Sequence, residues 1–252
     1  MVRGLERFKA HFAAYNDCYV LIGGTACSIL MEEAELDFRA TKDLDIVLCV
    51  EALDADFVGA FWEFIRAGKY QVQQKSSGEK QFFRFMKPED SSFPEMLELF
   101  ARKPELLTIG EGSQLTPIPI DEDVSSLSAI LLNDDYYQFI KVGMIEVAGL
   151  PIVPVEYLIP LKAIAWLDLS KRKAEGGKVD SVDIKKHKND IFRLYPLLTP
   201  STTIELPTSI RKDMQRFMDT IAGEPPVETK KLNIRATATD ILDALKKIYS
   251  LA

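Results

Sequence analysis

Asp43 and Asp45 flank Leu44 at the head of a run, Ile46-Val47-Leu48-Cys49-Val50, that is otherwise apolar. Side chains in an extended strand alternate between its two faces, so residues two apart point the same way. The two carboxylates therefore project together. Held so close they repel each other and resist burial. A divalent cation relieves that conflict, and magnesium takes one or two carboxylates together with substrate phosphates. Earlier in the chain, Gly23-Gly24-Thr25 follows the apolar run Tyr19-Val20-Leu21-Ile22. A Gly-Gly turn into a helix lets a phosphate approach the backbone, and the free N–H groups and dipole of the helix start favour an anion. The Thr25 hydroxyl can add a hydrogen bond and cap the helix. Arg39 and Thr41 share the aspartates' face if the extended conformation starts early, and the planar fork of Arg39 then suits a triphosphate. Gly-Gly alone is an ordinary tight turn, and Asp-Leu-Asp alone an ordinary strand start at the surface. In this order and spacing they point to a phosphate and a metal held together.

The elements that must position these residues follow from the pattern of apolar side chains. Leu5, Phe8 and Phe12 predict a helix from Leu5 to Tyr15, and Tyr19–Ile22 a buried strand. Thr25 is expected to cap a helix from about Ala26 to Ala34. Leu44 to Val50 is apolar on both faces and belongs at the centre of a covered sheet. Asp54 opens a helix carrying Phe57, Phe61, Phe64 and Ile65. Strands follow at Tyr70–Gln74, Gln81–Met86 and Met96–Ala101, with a turn at Ser76–Glu79 between the first two. Residues 103 to 125 read as loops and a short strand, and Tyr136–Val142 with Met144–Val147 as a β-hairpin. Helices are expected at Val155–Lys173, Val182–Tyr195, Pro207–Ile221 and Thr237–Tyr249. The class is α/β (α+β): a mixed-sheet domain over 1–125, then a mainly helical domain over 126–252 with the hairpin near its start.

Gly23-Gly24-Thr25 followed by Asp43-Leu44-Asp45 resembles the signature of the DNA polymerase β-type nucleotidyltransferase superfamily. The fuller form, Arg39-x-Thr41-x-Asp43-Leu44-Asp45, more narrowly resembles the AbiEii/AbiGii toxin family, commonly the toxin of a toxin–antitoxin pair. The superfamily resemblance covers about the first hundred residues. It implies transfer of a nucleoside monophosphate from an NTP to a hydroxyl, with two Mg2+ ions held by Asp43, Asp45 and a third carboxylate on a neighbouring strand. Glu98, in Met96-Leu97-Glu98-Leu99-Phe100, is the candidate, because an acid within an apolar strand needs a partner; the alternative is an edge glutamate facing water. The superfamily more often has Asp there. Gly23, Gly24, Thr25, Arg39 and Thr41 are the implied contacts to the triphosphate.

Lys162 has Leu158, Ile159, Ala165 and Trp166 as its helical neighbours, which is no ordinary solvated face. Lys188 shares a face with Ile184, Ile191 and Tyr195. A stem lying along apolar surface with its head in water explains such lysines equally well. The AbiEii-like pattern has a lysine in one helix and a Lys/Asp element in the next, which implies nucleotide-binding roles for Lys162, Lys188 and Asp190. The implied acceptor is an RNA end such as tRNA, or a protein hydroxyl. An antitoxin is the implied protein partner.

Composition narrows the class from the other side. The formal net charge of −7 argues against a protein coated in nucleic acid but leaves room for a local basic groove; Lys171-Arg172-Lys173 through Lys185-Lys186-His187-Lys188 reads as such a groove or as a solvated helix face and loop. No apolar run approaches the ~20 residues that span a bilayer. Three cysteines within apolar segments read as free thiols of a cytoplasmic, reducing compartment. With two histidines and no paired cysteine motif, a zinc site is not expected. Two other classes remain beside the transferase: a non-catalytic nucleotide-binding or interaction protein of the same fold, and a metal-dependent phosphohydrolase using the same carboxylates.

Overall fold

The computed structural model describes residues 2–74, 80–102, 115–117, 128–199 and 201–252. The turn expected at 76–79 and most of the loop stretch 103–125 lie outside the described residues. The chain begins α1 (Leu5–Phe12), β1 (Tyr19–Ile22), α2 (Gly23–Glu33), β2 (Asp43–Leu48) and α3 (Ala55–Gly68). It continues β3 (Gln71–Gln74), β4 (Lys80–Met86), β5 (Met96–Ala101), β6 (Leu115–Pro117) and β7 (Ser128–Leu131). Next come α4 (Asp134–Gly143), β8 (Ile145–Val147) and β9 (Leu150–Ile152). Four further α-helices close it: α5 (Val155–Ala174), α6 (Ser181–Leu194), α7 (Thr208–Ala222) and α8 (Ala238–Ile248).

The mixed α/β class follows directly. One sheet runs β3-β4-β5-β2-β1-β9-β8, and β7 also joins β5 and carries β6. β2 lies between β1, to which it is antiparallel, and β5, to which it is parallel. Its central place agrees with its doubly apolar sequence. Under one face, Phe8 and Phe12 of α1 meet Phe57, Phe61 and Phe64 of α3 in a buried aromatic cluster. The Asp54 side chain accepts from Phe57 N and caps α3, as its sequence predicts.

Three elements differ from expectation. Helix α2 starts at Gly23, directly after β1, and Thr25 is not its cap. The segment expected as the first hairpin strand is α4. Its buried side chains, Tyr136, Tyr137, Phe139 and Ile140, come in adjacent pairs, which suits a helix face and breaks strand alternation. Asn133 caps it by accepting from Asp135 N. The hairpin instead is β8–β9, closed between Val147 and Leu150 by Ala148 and Gly149. Both of these have positive φ, the conformation a tight two-residue hairpin turn requires.

The chain divides into two compact units, Met1–Val153 and Pro154–Ala252. This division falls beyond the expected boundary at 125/126 because β9 pairs with β1, which carries residues up to 153 into the sheet unit. The second unit is helical. α5 packs on α6 and α7, with Trp166 edge-on to Phe217. Thr237 and Asp240 form a reciprocal capping box at the start of α8. Among the described residues no helix is long and apolar enough to cross a membrane.

Candidate active site

Register decides which residues meet at the head of β2. Ile22, the last residue of β1, is opposite Asp45. The chain therefore turns into α2 beside Asp45. Gly23 has φ +66°, and a Cβ at this position would fall 1.7 Å from Asp45 Oδ2. At Gly24 a Cβ would lie 2.6 Å from Thr41 Oγ1 and 3.4 Å from Arg39 Nη2. Two missing side chains thus let Asp45, Thr41 and Arg39 close around the first turn of α2. Asp43 and Asp45 are both half-buried, while Leu44 between them is buried, as strand alternation requires.

Thr25 has a different part from the phosphate contact expected of it. Its side chain is fully buried and its hydroxyl donates to the backbone oxygen of Asp43 at 2.7 Å. It ties α2 to β2 and thereby helps to hold the aspartates in place.

Asp45 is also paired in register with Glu98 of β5, and Asp43 with Met96. Asp45 and Glu98 therefore stand side by side on one face of the sheet. Glu98 is buried, and it has a partner that the sequence reading did not identify. Arg84 lies directly across from it on β4. Arg84 Nε donates to Glu98 Oε1 at 2.6 Å, and Nη2 donates to the same oxygen. An arginine between Phe83 and Phe85 was a visible signal of such a buried carboxylate.

Among the described residues, no three His, Cys, Asp or Glu side chains gather as a ready metal-holding set. Oxygen donors nonetheless fit magnesium at Asp43 and Asp45, because that ion is ordinarily held by one or two carboxylates and completed by substrate phosphates. Glu98 is held in an ion pair with Arg84.

At the other end of β2, Glu51 accepts from Tyr137 Oη at 2.5 Å, Lys141 Nζ at 2.8 Å and Arg102 Nε at 2.9 Å. Burial disfavours its charge, but the hydrogen bonds from Lys141 and Tyr137 outweigh it and hold the carboxyl at about 2. This cluster fastens β2 to α4. The three cysteines are buried and free. Burial pushes Cys18 up to about 12 and Cys49 to about 11, so neither is a ready nucleophile.

In the second unit, Lys162 and Asp190 are brought together. Lys162 Nζ lies 3.3 Å from Asp190 Oδ2, with the side chains 4% and 0% exposed. Arg193 also reaches Asp190, at 3.3 Å. The pair joins α5 to α6 inside that unit. Lys188 is half-buried and donates to Glu224 at 2.5 Å.

No family model matches the chain, and no curated protein matches its sequence. Solved structures give looser likenesses. An antigenic nucleotidyltransferase-like protein from Paracoccidioides brasiliensis aligns over 98% of this chain and 95% of its own, with 15% identity and a TM-score of 0.48. The Megavirus polyadenylate synthase aligns over 88% of this chain and 36% of its own, with 9% identity and a TM-score of 0.37. The antibiotic-resistance factor ANT(2'')-Ia aligns over 92% of this chain and 97% of its own, with 13% identity and a TM-score of 0.35.

Proposed function

We propose that the protein is a magnesium-dependent nucleotidyltransferase that moves a nucleoside monophosphate from an NTP to a hydroxyl acceptor. The observation that carries this reading is the packing of Asp45 on Gly23, with Thr41 and Arg39 closed over Gly24. It combines a carboxylate pair for a metal with a helix start open to phosphate. In the reaction the acceptor oxygen bonds to the α-phosphorus, the bond to the β-phosphate oxygen breaks, and pyrophosphate leaves. Asp43 and Asp45 would hold two magnesium ions. When bound, the metal lowers the pKa of the acceptor hydroxyl and offsets charge on the attacking and leaving oxygens. Gly23, Gly24, Arg39 and Thr41 position the triphosphate, and most of the rate gain comes from such positioning. The acceptor is an RNA end such as tRNA, or a protein hydroxyl. Cytoplasmic action as the toxin of a toxin–antitoxin pair is the setting that the sequence resemblance implies, and the three free, buried cysteines agree with a reducing compartment.

One observation favours a second reading. Glu98, the candidate third carboxylate, is occupied by Arg84. If that ion pair persists with substrate bound, the protein binds nucleotide without turning it over. Incubation with each labelled NTP, magnesium and total RNA or protein separates the two. Transfer of label by wild type and none by folded Asp43→Asn or Asp45→Asn supports the transferase. Activity retained in folded Asp43→Asn overturns the metal assignment. NTP binding without any labelled product, restored to turnover by Arg84→Gln, identifies the Arg84–Glu98 pair as the block.

A further inference from the structure

The basic stretch noted between 171 and 188 separates into two groups once folded. Lys171, Arg172 and Lys186 lie on exposed helix surface and pair with Glu175, Asp168 and Asp183 one turn away. Such pairs are worth little and need no ligand. Lys173, Lys185 and Lys188 instead line a pocket of about 600 Å³ built wholly from the second unit. Its other cations are Arg193 from α6 and Lys231 from the segment after α7. Five cationic side chains thus face one concavity, against the carboxylates of Glu224 and Glu228, in a chain whose net charge is −7.

The internal partners leave part of this charge uncompensated. Lys188 is paired with Glu224, Lys231 with Glu228 and Arg193 with Asp190. Among the described residues, Lys173 donates only to the neutral hydroxyl of Ser181. Lys185 makes no ion pair among the described residues. The positive excess is therefore on the wall made by the end of α5 and the adjoining turns of α6. The remaining lining is mixed: Trp166, Ile184, Val227 and Leu232 lie beside Pro225 and Pro226, with the polar side chains of Ser181 and Asn189. A concavity of this volume with convergent charges and some apolar wall suits a small ligand better than a long polymer.

We propose that this pocket binds a phosphate ester of mononucleotide size. Lys173 and Lys185 hold the phosphates, the Lys188–Glu224 pair can open to add a third cation, and the proline and aliphatic wall takes the organic part. Charge-assisted hydrogen bonds to phosphate are the strong kind, and lysine serves them as a point charge. Nothing in this assignment requires transfer chemistry in the first unit.

Isothermal titration calorimetry of the full chain in EDTA tests it, with sodium tripolyphosphate and ATP as probes. Both should bind, ATP at least as tightly as tripolyphosphate. The exposed double reversal Lys173→Glu/Lys185→Glu should weaken both by at least about tenfold, the weight of a lost charge-assisted contact. Lys171→Glu/Lys186→Glu changes the net charge equally but lies outside the pocket, and it should leave affinity within about twofold because exposed charges are screened. The lysine reversals leave Asp43, Asp45, Arg39 and Thr41 intact, so the labelling assay reads the transferase separately from this site. Equal weakening by the two lysine reversals, tripolyphosphate binding that excludes ATP, or absence of binding by both probes would overturn the proposal.

Discussion

The two units treat charge in opposite ways. In the first, Asp43 and Asp45 stay half-exposed at the head of a central strand, next to the start of a helix. In the second, Lys162 and Asp190 are sealed between two helices with almost no exposure. Carboxylates left partly in water stay accessible to an ion or a phosphate-bound metal. A sealed pair must satisfy itself, and its energy is committed to holding α5 on α6. The same residue types thus mark a candidate reactive site in one unit and a structural joint in the other. Glu98 stands between these cases: it belongs to the acidic face by register, yet it is buried and already paired with Arg84.

The largest effect that would break this contrast concerns the sealed pair. Asp190→Ala should destabilise the protein by about 3–5 kcal/mol, because it leaves Lys162 and Arg193 around a vacated site. Lys162→Met/Asp190→Leu should recover most of that loss in urea unfolding. If Asp190→Ala unfolds like wild type, the pair is not what holds α5 on α6. Gly23→Ala comes next. Its Cβ would meet Asp45 Oδ2 at 1.7 Å and its backbone would have to keep φ +66°, so a cost of about 1–3 kcal/mol is expected. Displacement of Asp45 should also remove NTP-dependent labelling. A Gly23→Ala protein of normal stability and activity would mean that the glycine contact does not organise the site.

Thr25→Val is a finer test. It keeps the shape but deletes the donor to Asp43 O, and should cost about 1 kcal/mol in thermal or urea unfolding. Thr25→Ser should restore most of it. A direct phosphate contact instead predicts a change in nucleotide affinity with unaltered stability. The smallest effect is at Glu51. Its carboxyl is lowered from an ordinary 4.5 to about 2. A depressed carboxyl stabilises the folded state fully above its unfolded value and loses that contribution as pH falls through its folded value. Wild type should therefore lose its advantage over Glu51→Gln between roughly pH 4.5 and 2, as followed by melting temperature, the effect reduced by solvent at this partly exposed side chain. An advantage that does not change across this window would remove the hydrogen-bonded anchor between β2 and α4.

Local periodicity was enough for much of this. The spans of α3, β5, α5 and α6 differ little from what apolar spacing predicts, since each buries a continuous face set by its own residues. Lys162 was conspicuous for the same reason, ringed by Leu158, Ile159 and Trp166, although a stem on apolar surface with its head in water explained it equally well. The misassigned helix α4 shows where periodicity failed. Tyr, Phe, Ile and Val have high strand preference, and the paired burial of Tyr136-Tyr137 and Phe139-Ile140 overrode it.

What the sequence by itself determined is which groups must act together within one element. Alternation along β2 alone puts Asp43 and Asp45 on a common face, and helical spacing alone surrounds Lys162 with apolar side chains. Only the tertiary structure decided their partners. That Asp45 meets Gly23, that Glu98 stands beside Asp45 yet is held by Arg84, and that Lys162 finds Asp190 are matters of strand register and helix packing. These contacts join residues far apart in the chain. A shift of one residue in a strand would turn every side chain to the opposite face while leaving the local pattern unchanged, so the whole fold must fix the register.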